Sequence, residues 1–207
     1  MIDQVYAIAT LVAAVGASLR GALVILLAVR TFFGRRQFAS RRIDRGFLLT
    51  APEPFLLIAL AWALWANARG VSGVVDAALA AALLGVALVL GGWALALWTF
   101  ASWPSIFVGH ALLHDHRLVT HGAYGVVRHP VYLAAFLIWL GLGVAFASRM
   151  AVGIALLYVL PAYLLYIRDE EAMMMSAFGD AYRSYRAAVP MLIPRWSRRH
   201  VARPGAA

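Results

Sequence analysis

The sequence predicts an all-α integral membrane protein: a bundle of about five transmembrane helices with a cytoplasmic amphipathic helix near the C-terminus. Hydrophobic residues make up 64% of the 207 residues and charged residues only 13%, against roughly 25% in soluble domains. The mean hydropathy is +0.82. Apolar runs recur along the chain at the length that a helix needs to cross the hydrocarbon core of a bilayer.

Five apolar segments are long enough, or nearly long enough, to span a membrane. They lie near residues 5–29, 47–67, 74–100, 131–147 and 150–167. The first lacks a basic start and is about as long as a full span, so we expect it to stay attached as the first helix. The last two are joined only by residues 147–150 and should form a tight helical hairpin. Gly141 and Gly143 would permit close approach of the two helices there.

The distribution of arginine predicts the orientation. All eighteen basic residues are arginine, and fifteen of them fall on the side that holds the first link and the C-terminal segment, against Arg69 and Arg149 on the other side. Cytoplasmic loops are enriched in basic residues, so the C-terminal segment should be cytoplasmic. The alanine-rich, lysine-free composition suggests a GC-rich genome and a bacterial inner membrane. The net charge of +9 then reflects topology and contact with anionic membrane lipids, and we expect no nucleic-acid partner.

Composition also excludes some chemistry. The chain has no cysteine, which rules out disulfides, thiolate metal sites and a cysteine nucleophile. Without lysine it cannot form a Schiff base on a lysine side chain.

The segment 168–187 differs from the spans because its apolar residues recur at helical spacing, which predicts an amphipathic helix. The residues on that face are Met174, Met175, Phe178, Tyr182 and Tyr185. Glu171 lies at the buried edge of the face, with Arg168 as its nearest expected partner. Gly179 interrupts the pattern. Pro190 and Pro194 end any helix, so residues 189–194 should form an extended strap that lies back on the body.

Polar residues at the ends of two apolar runs form the strongest candidate site. Arg128 and His129 precede one run, and Glu170 and Glu171 follow the next. Such groups are costly beside lipid, so their presence suggests function, and a short hairpin would return both blocks to one membrane face. Two nearby glycines let the backbone approach a ligand, and a bent loop at a helix N-terminus offers N–H groups to an anion. The site suits a zwitterionic cofactor with a cationic centre.

The motifs in this half of the chain resemble those of the isoprenylcysteine carboxyl methyltransferase family and its phospholipid methyltransferase relatives. The matching residues, in order, are Gly122-Ala123-Tyr124, Val127-Arg128-His129-Pro130-Val131-Tyr132, Arg168, Glu170-Glu171, Phe178-Gly179, Tyr182, Tyr185 and Val189-Pro190. The resemblance implies that S-adenosylmethionine is bound without a Rossmann domain. It also implies that a lipophilic acceptor reaches the methyl group from the bilayer, through a gap between helices.

Carried over by position, the resemblance implies a set of residues that line the cofactor pocket. They are Tyr124, Val127, Arg128, His129, Tyr132, Leu133, Glu170 and Glu171. Glu171 or His129 could take a proton from an amine or thiol acceptor, whereas a carboxylate acceptor needs no base. Ala188 stands where prenylcysteine enzymes tend to carry an arginine thought to engage the substrate carboxylate, so Arg186 or Arg183 would have to supply that cation.

We therefore interpret residues 1–207 as a single membrane domain. Residues 1–100 would provide the N-terminal spans and substrate access, 101–194 the cofactor-binding methyltransferase core, and 195–207 a basic tail. The partners would be a lipid-phase acceptor and membrane lipids. A prenylated cysteine, an ethanolamine lipid, a quinone or isoprenoid, and a small thiol all remain open as acceptors, and so does the oligomeric state.

Two other classes compete with this interpretation. Membrane sterol-type reductases share a related C-terminal architecture and bind a nicotinamide cofactor, but they have more spans than this chain can supply. A small channel or metal-handling protein would instead use Arg20, predicted within the first span, and the cluster His110, His114 and His116. We expect no metal site, because interfacial hydration explains these histidines.

Overall fold

The computed structural model describes residues 53–68, 79–103 and 117–195, together with Val15. These residues form helices and no strands. In chain order the elements are α1 (Glu53–Ala68), α2 (Leu79–Ser102), a 3₁₀ turn (Gly122–Gly125), α3 (Pro130–Ala145), α4 (Arg149–Ile154), a π-helical turn (Ala155–Val159) and α5 (Leu160–Ala188). The predicted span 5–29, apart from Val15, lies outside the described residues, as do Arg20 and the three clustered histidines.

Two of the described helices are long and apolar enough to cross a membrane. They are Ala80–Ser102 and the continuous segment Arg149–Ala188, whereas Pro130–Ala145 is a shorter apolar helix. At 1.5 Å per residue, the 16 residues of α3 extend about 24 Å, somewhat less than the roughly 30 Å of a hydrocarbon core. The all-α class is thus observed in the described part of the chain, and the count of five spans stays a prediction.

Glycines set the packing of α2 against α3, the most extensive helix contact among the described elements. A Cβ atom on Gly85 would lie 2.3 Å from the backbone nitrogen of Ala145, and one on Gly141 would lie 2.7 Å from the carbonyl oxygen of Gly85. Both distances are too short for any side chain, so the two backbones touch at this crossing. The expectation that Gly141 serves the α3–α4 hairpin is therefore wrong, because it faces α2.

The α3–α4 hairpin is as tight as its four-residue link predicts. Gly143 packs against α4, where an added Cβ would lie 3.1 Å from the backbone nitrogen of Val152. Ala147 takes a positive φ of 47° in the turn. Ser148 then caps α4, its hydroxyl accepting a hydrogen bond from the Ala151 amide at 3.2 Å. The hairpin returns the chain towards the end of the molecule at which α3 begins.

The predicted span 150–167 and the segment after it form one helical unit that runs to Ala188. The π-helical turn Ala155–Val159 lies near its start. Gly179 interrupts its later part with φ 52° and ψ −123°, which confirms the predicted break. The unit ends where Val189, the residue before Pro190, turns to an extended conformation, as the proline predicts.

Two clusters of buried side chains hold these elements together. The larger joins α1, α2, α3 and the hairpin, and its fully buried members include Leu56, Leu142 and Val159. The smaller is formed by Tyr182, Tyr185 and Val189, against which Leu118 and Phe178 pack. The polar residues singled out in the sequence lie between the two clusters, at the start of α3 and in the middle of α5.

Candidate functional site

The site is built on the corner that leads into α3. The 3₁₀ turn is tied to the end of α2 by a hydrogen bond from the Ala123 amide to the Ser102 hydroxyl oxygen, at 3.0 Å. Val127 is buried in this corner, and Pro130 occupies the first turn of α3, where its missing N–H costs nothing. The corner therefore presents Arg128 and His129 from a position fixed at both ends.

Glu171 of α5 is the centre of the site. Its Oε1 accepts hydrogen bonds from Arg128 Nε at 2.9 Å and Nη2 at 2.7 Å, and lies 3.2 Å from His129 Nε2. Its Oε2 lies 3.3 Å from Arg186 Nε. The acidic pair and the arginine–histidine corner, which are distant in the sequence, are thus in direct contact, as predicted. The expected pairing with Arg168 is wrong, since Arg128 and His129 of the corner and Arg186 of the same helix occupy the carboxylate.

Arg128 also holds the segment that follows α5. Its Nη1 donates to the carbonyl oxygen of Arg186 at 2.9 Å and to that of Val189. The Arg128 amide donates to the Pro190 carbonyl at 2.8 Å, and the His129 amide to the Met191 carbonyl at 3.2 Å. This confirms that a strap after α5 lies back on the body. It also means that these two amides and four of the five guanidinium N–H groups are bound to protein acceptors.

These contacts decide the charge state of Glu171. The residue is 5% exposed, and burial by itself would raise its pKa. The hydrogen bonds from His129 and Arg128, with the positive charge of the arginine, outweigh burial and lower the pKa of Glu171 from 4.5 to about 2. Glu171 lies beyond the apolar run 150–167, and at neutral pH it is a carboxylate neutralised by its neighbours.

Glu170 has a different environment, although it is the adjacent residue. Its Oε1 accepts a hydrogen bond from the Tyr132 hydroxyl at 2.6 Å, and its Oε2 lies 3.7 Å from His129 Nδ1. Its side chain is 22% exposed to solvent. The ring of Tyr132 meets that of Tyr163 edge-on, with centroids 5.2 Å apart. Glu170 thus borders an aromatic surface made by α3 and α5.

Three tyrosines pack around the rest of the corner. The Tyr185 hydroxyl donates to the Tyr124 carbonyl oxygen at 2.8 Å, and the rings of Tyr182 and Tyr185 meet edge-on. Burial, with the nearby Glu171 charge, raises the pKa of Tyr182 to about 12. Burial likewise raises the pKa values of Tyr124 and Tyr185. These hydroxyls are therefore neutral, and the one on Tyr185 holds the 3₁₀ turn against α5.

The structure brings most of the predicted site residues into one network. Six of them are joined by side-chain contacts within 4 Å: Arg128, His129, Tyr132, Glu170, Glu171 and Arg186. Tyr124 joins through its carbonyl oxygen, and Val127 lies buried beneath. Leu133 lies in the first turn of α3, where its amide donates to the His129 carbonyl at 3.2 Å. Arg183 pairs instead with exposed Asp180, so of the two candidate arginines only Arg186 reaches the network.

Sequence reasoning missed the aromatic surface beside Glu170. Tyr163 and Tyr166 precede Glu170 by seven and four residues and so share its face of a helix. That spacing was a readable signal, but both tyrosines fall in an apolar run that is explained equally well as a membrane span. Within the described ranges 53–68, 79–103 and 117–195, no group of three or more histidine or acidic side chains is placed to hold a metal ion.

The relationship to membrane methyltransferases is confirmed by comparison with known families. Residues 80–181, which run from α2 into the end of α5, match the family model described as phospholipid methyltransferase. The match includes the corner, Glu170 and Glu171, and stops before the strap.

The relatives that the chain resembles carry several names. Protein-S-isoprenylcysteine O-methyltransferase of Schizosaccharomyces pombe is 39% identical over 80 residues, which are 39% of this chain and 34% of that protein. Methanethiol S-methyltransferase of Crocosphaera subtropica is 36% identical over 79 residues, 38% of this chain and 29% of that protein. The cobalt-zinc-cadmium resistance protein CzcN of Cupriavidus metallidurans is 36% identical over 88 residues, 40% of this chain and 38% of that protein. The chain thus spans about a third of the length of the relatives it matches.

Proposed function

We propose that the protein is an S-adenosylmethionine-dependent integral membrane methyltransferase that acts on a lipophilic or amphiphilic acceptor. The observation that carries the proposal is the contact between the acidic pair of α5 and the arginine–histidine corner of α3, inside the region that matches phospholipid methyltransferases. The named O- and S-methyltransferases among the relatives support the reaction class.

The residues present fit the cofactor. S-adenosylmethionine carries a cationic sulfonium, an ammonium, a carboxylate and an aromatic base, and the network offers carboxylates, cations and tyrosine rings at one corner. We propose that the implied pocket residues, from Tyr124 to Leu133 and at Glu170 and Glu171, surround it. Arg128 would act mainly by joining α5 and the strap to the corner, because its donors are already bound to protein groups.

The cofactor would supply an electrophilic methyl group, and the protein would hold the acceptor in line with it in a site that excludes water. A carboxylate acceptor needs no base. For an amine or thiol acceptor, Glu171 is a weak base because its pKa is about 2, which leaves His129 as the better candidate of the two. Arg186, whose side chain is 53% exposed, is the cation best placed to meet an anionic acceptor.

The acceptor would enter from the bilayer, and the site would lie at the cytoplasmic face. The relatives are named for acceptors as different as an isoprenylcysteine and methanethiol. The acceptors to be tested are therefore a prenylated carboxylate, a phospholipid amine and a small thiol.

The proposal is tested with purified protein in detergent and labelled S-adenosylmethionine. We expect the wild type to bind the cofactor, and Glu171→Ala and His129→Ala to bind it at least tenfold more weakly. Asp180→Asn, which removes an exposed carboxylate of the same helix, should bind as the wild type does. Failure of the wild type to bind, or equal binding by the two site variants, would overturn the assignment.

A second experiment addresses the acceptor and the competing classes. Membranes that contain the protein are incubated with labelled cofactor, and the methylated lipid-phase compound is identified; a base-stable label excludes an ester. Thermal stabilisation by S-adenosylhomocysteine supports the methyltransferase. Stabilisation by divalent metal ions or by NADPH, without any from S-adenosylhomocysteine, would favour a metal-handling protein or a reductase.

A further inference from the structure

The strap that follows α5 has two different sides. Its carbonyl oxygens at Val189, Pro190 and Met191 accept hydrogen bonds from side-chain or amide groups of the corner. Val189 itself is 4% exposed, whereas Ile193 is 82% exposed. The strap is therefore bound to the corner along its first half, and its far end presents an apolar side chain to the surroundings of the protein.

The corner adds apolar surface beside the strap. Val126 is 40% exposed and Val131 is 37% exposed. Val126, Val131 and Ile193 each lie two residues from a residue in the backbone hydrogen bonds between corner and strap, which is at most about 7 Å of chain. Single exposed apolar residues are ordinary, but a group of them at one end of a molecule indicates a contact surface. We call these three side chains the strap patch.

The strap patch lies where two apolar segments end. The helix α3 begins at Pro130, directly after the corner. The apolar run 150–167 ends just before Glu170, which contacts the first turn of α3 through Tyr132. On the topology that the sequence predicts, this end of both segments is the boundary between the hydrocarbon core and the headgroups. The outer side of the strap therefore faces that boundary.

The charge of this end of the chain is of one sign. Residues 181–207 contain six arginines and no acidic residue. Arg195, next to the end of the strap, is exposed, and the sequence after it continues with Trp196, Arg198 and Arg199. Tryptophan is enriched at membrane interfaces, and anionic headgroups attract basic segments beside a membrane.

An anionic lipid surface matches both properties of the region. A nucleic acid would also be attracted to the arginines, but its phosphates would gain nothing from the exposed apolar side chains of the strap patch. A membrane-surface contact uses both, because apolar side chains enter the acyl boundary while basic ones meet the headgroups.

We propose that the strap docks on the adjoining leaflet of the protein's own membrane: the strap patch enters the boundary between headgroups and acyl chains, and Arg195, with the basic sequence after it, binds anionic phospholipid headgroups. This inference goes beyond the proposed function, since it needs neither the cofactor nor the acceptor. A docked strap is held by lipid on one side and by its hydrogen bonds to Arg128 and His129 on the other.

Because the chain has no cysteine, one environment-sensitive fluorophore can be placed at Ile193→Cys in the full chain. The labelled protein is reconstituted in nanodiscs of phosphatidylcholine alone, or of phosphatidylcholine and phosphatidylglycerol in equal parts. In the anionic discs we expect emission at shorter wavelength and roughly threefold weaker quenching by aqueous acrylamide. Ser184→Cys, an exposed and nearly isosteric change on the last part of α5, is the matched control, and its label should be quenched equally in both discs.

A measurement without a label uses trypsin, which cleaves after arginine. The wild type should lose the segment after Arg195 roughly tenfold more slowly in anionic than in neutral discs, and high salt should remove most of that difference. Ile193→Ser keeps every cleavage site and should lose much of the protection. Met150→Ser, which changes an exposed apolar residue in the α3–α4 hairpin, should keep it.

Several results would overturn the docking. One is equal quenching of the Ile193→Cys label in the two kinds of disc, and another is equal cleavage of the wild type and Ile193→Ser. Protection of the Ser184→Cys label as well would show that the end of α5, rather than the strap, lies on the membrane. A label that responds to added RNA and not to anionic lipid would indicate a nucleic-acid partner instead. None of these measurements involves S-adenosylmethionine, so their failure would leave the proposed function standing.

Discussion

Glu171 shows at the scale of one residue why the site needs its neighbours. An isolated carboxylate with 5% exposure would lose most of its hydration and would be driven to its neutral form. His129 and Arg128 reverse that tendency, and removal of either partner leaves a buried charge incompletely paired. The residue therefore links the stability of the fold to the ionisation of the site.

This linkage gives a pH prediction. The pKa of Glu171 is about 2 in the folded protein and 4.5 ordinarily, so its contribution is complete above pH 4.5 and is lost as the pH falls towards 2. At about 1.4 kcal/mol per pKa unit, the contribution is roughly 3 kcal/mol at neutral pH. Thermal unfolding in detergent should show that Glu171→Gln is less stable than the wild type at pH 7 and that the difference narrows between pH 5 and 3.

Asp180→Asn is the control for this measurement, because its carboxylate is exposed. It should follow the wild-type curve throughout. A Glu171→Gln variant as stable as the wild type at pH 7 would contradict the account of the buried charge.

The contact between Arg128 and Glu171 could be predicted from the sequence because a short hairpin leaves two polar blocks only one place to meet. The choice of partner within the site could not. The local arginine, Arg168, is three residues away on an exposed surface, where such a pair contributes little. Arg128 competes successfully because its contacts with Glu171 are buried, and only the folded chain creates that dry environment.

At the scale of elements, Gly179 determines the direction of the last part of α5. Its φ of 52° and ψ of −123° are accessible to glycine and strained for other residues. The residues after it carry Tyr182, Tyr185 and Arg186, all of which contact the corner or its partners. The break therefore directs the end of α5 towards the site.

Gly179→Ala should destabilise the protein by about 1–3 kcal/mol, through the backbone alone, because an added Cβ would meet no atom within 4 Å. Gly153→Ala is the matched control: a Cβ there also meets nothing within 4 Å, but the residue is helical within α4. That change should be neutral or stabilising by up to about 1 kcal/mol. Thermal unfolding of both variants checks the prediction, and equal effects would show that the kink is not strained for alanine.

The sequence predicts that these helices exist but not where one becomes the next. The predicted boundary near Ile167 marks a change from apolar to polar residues. Such a change indicates where a chain leaves the lipid, but it does not indicate where a helix ends. No glycine or proline lies between Leu160 and Glu171 other than Pro161 in the first turn, so nothing stops the helix there.

Gly141 was assigned to the wrong helix contact for a related reason. It and Gly143 are two residues apart, which puts them on opposite sides of α3.

At the scale of the whole molecule, the continuous segment Arg149–Ala188 is long and apolar enough to cross a membrane. Its 40 residues correspond to about 60 Å of helix, roughly twice the thickness of a hydrocarbon core. The apolar half can lie in lipid while the half with the acidic pair stands outside it. In that arrangement, which we propose, the network of charges would lie at the membrane surface, where a soluble cofactor would have access.

The absence of cysteine from the sequence allows a clean test of this orientation. Single cysteines are introduced as Asp180→Cys and Met150→Cys, both at exposed positions. A membrane-impermeant maleimide should label Met150→Cys in intact bacterial spheroplasts, and Asp180→Cys only after permeabilisation, if the C-terminal segment is cytoplasmic as the arginines indicate. The unsubstituted protein is the control without label. The reverse labelling pattern would show that the C-terminal segment lies on the outer side of the membrane.

The π-helical turn Ala155–Val159 has a consequence for how such a chain tolerates change in length. A π-turn holds one residue more than regular α-helix, and everything beyond it is rotated by about 100° relative to an uninterrupted helix. Deleting a single codon there would restore regular winding and leave both glutamates facing the corner, whereas regular winding with all residues retained would turn them away by about 100°. The π-helical turn therefore absorbs one additional residue without changing the direction in which the acidic pair faces, so this stretch of the chain should tolerate the loss of one residue better than the regular helix around it.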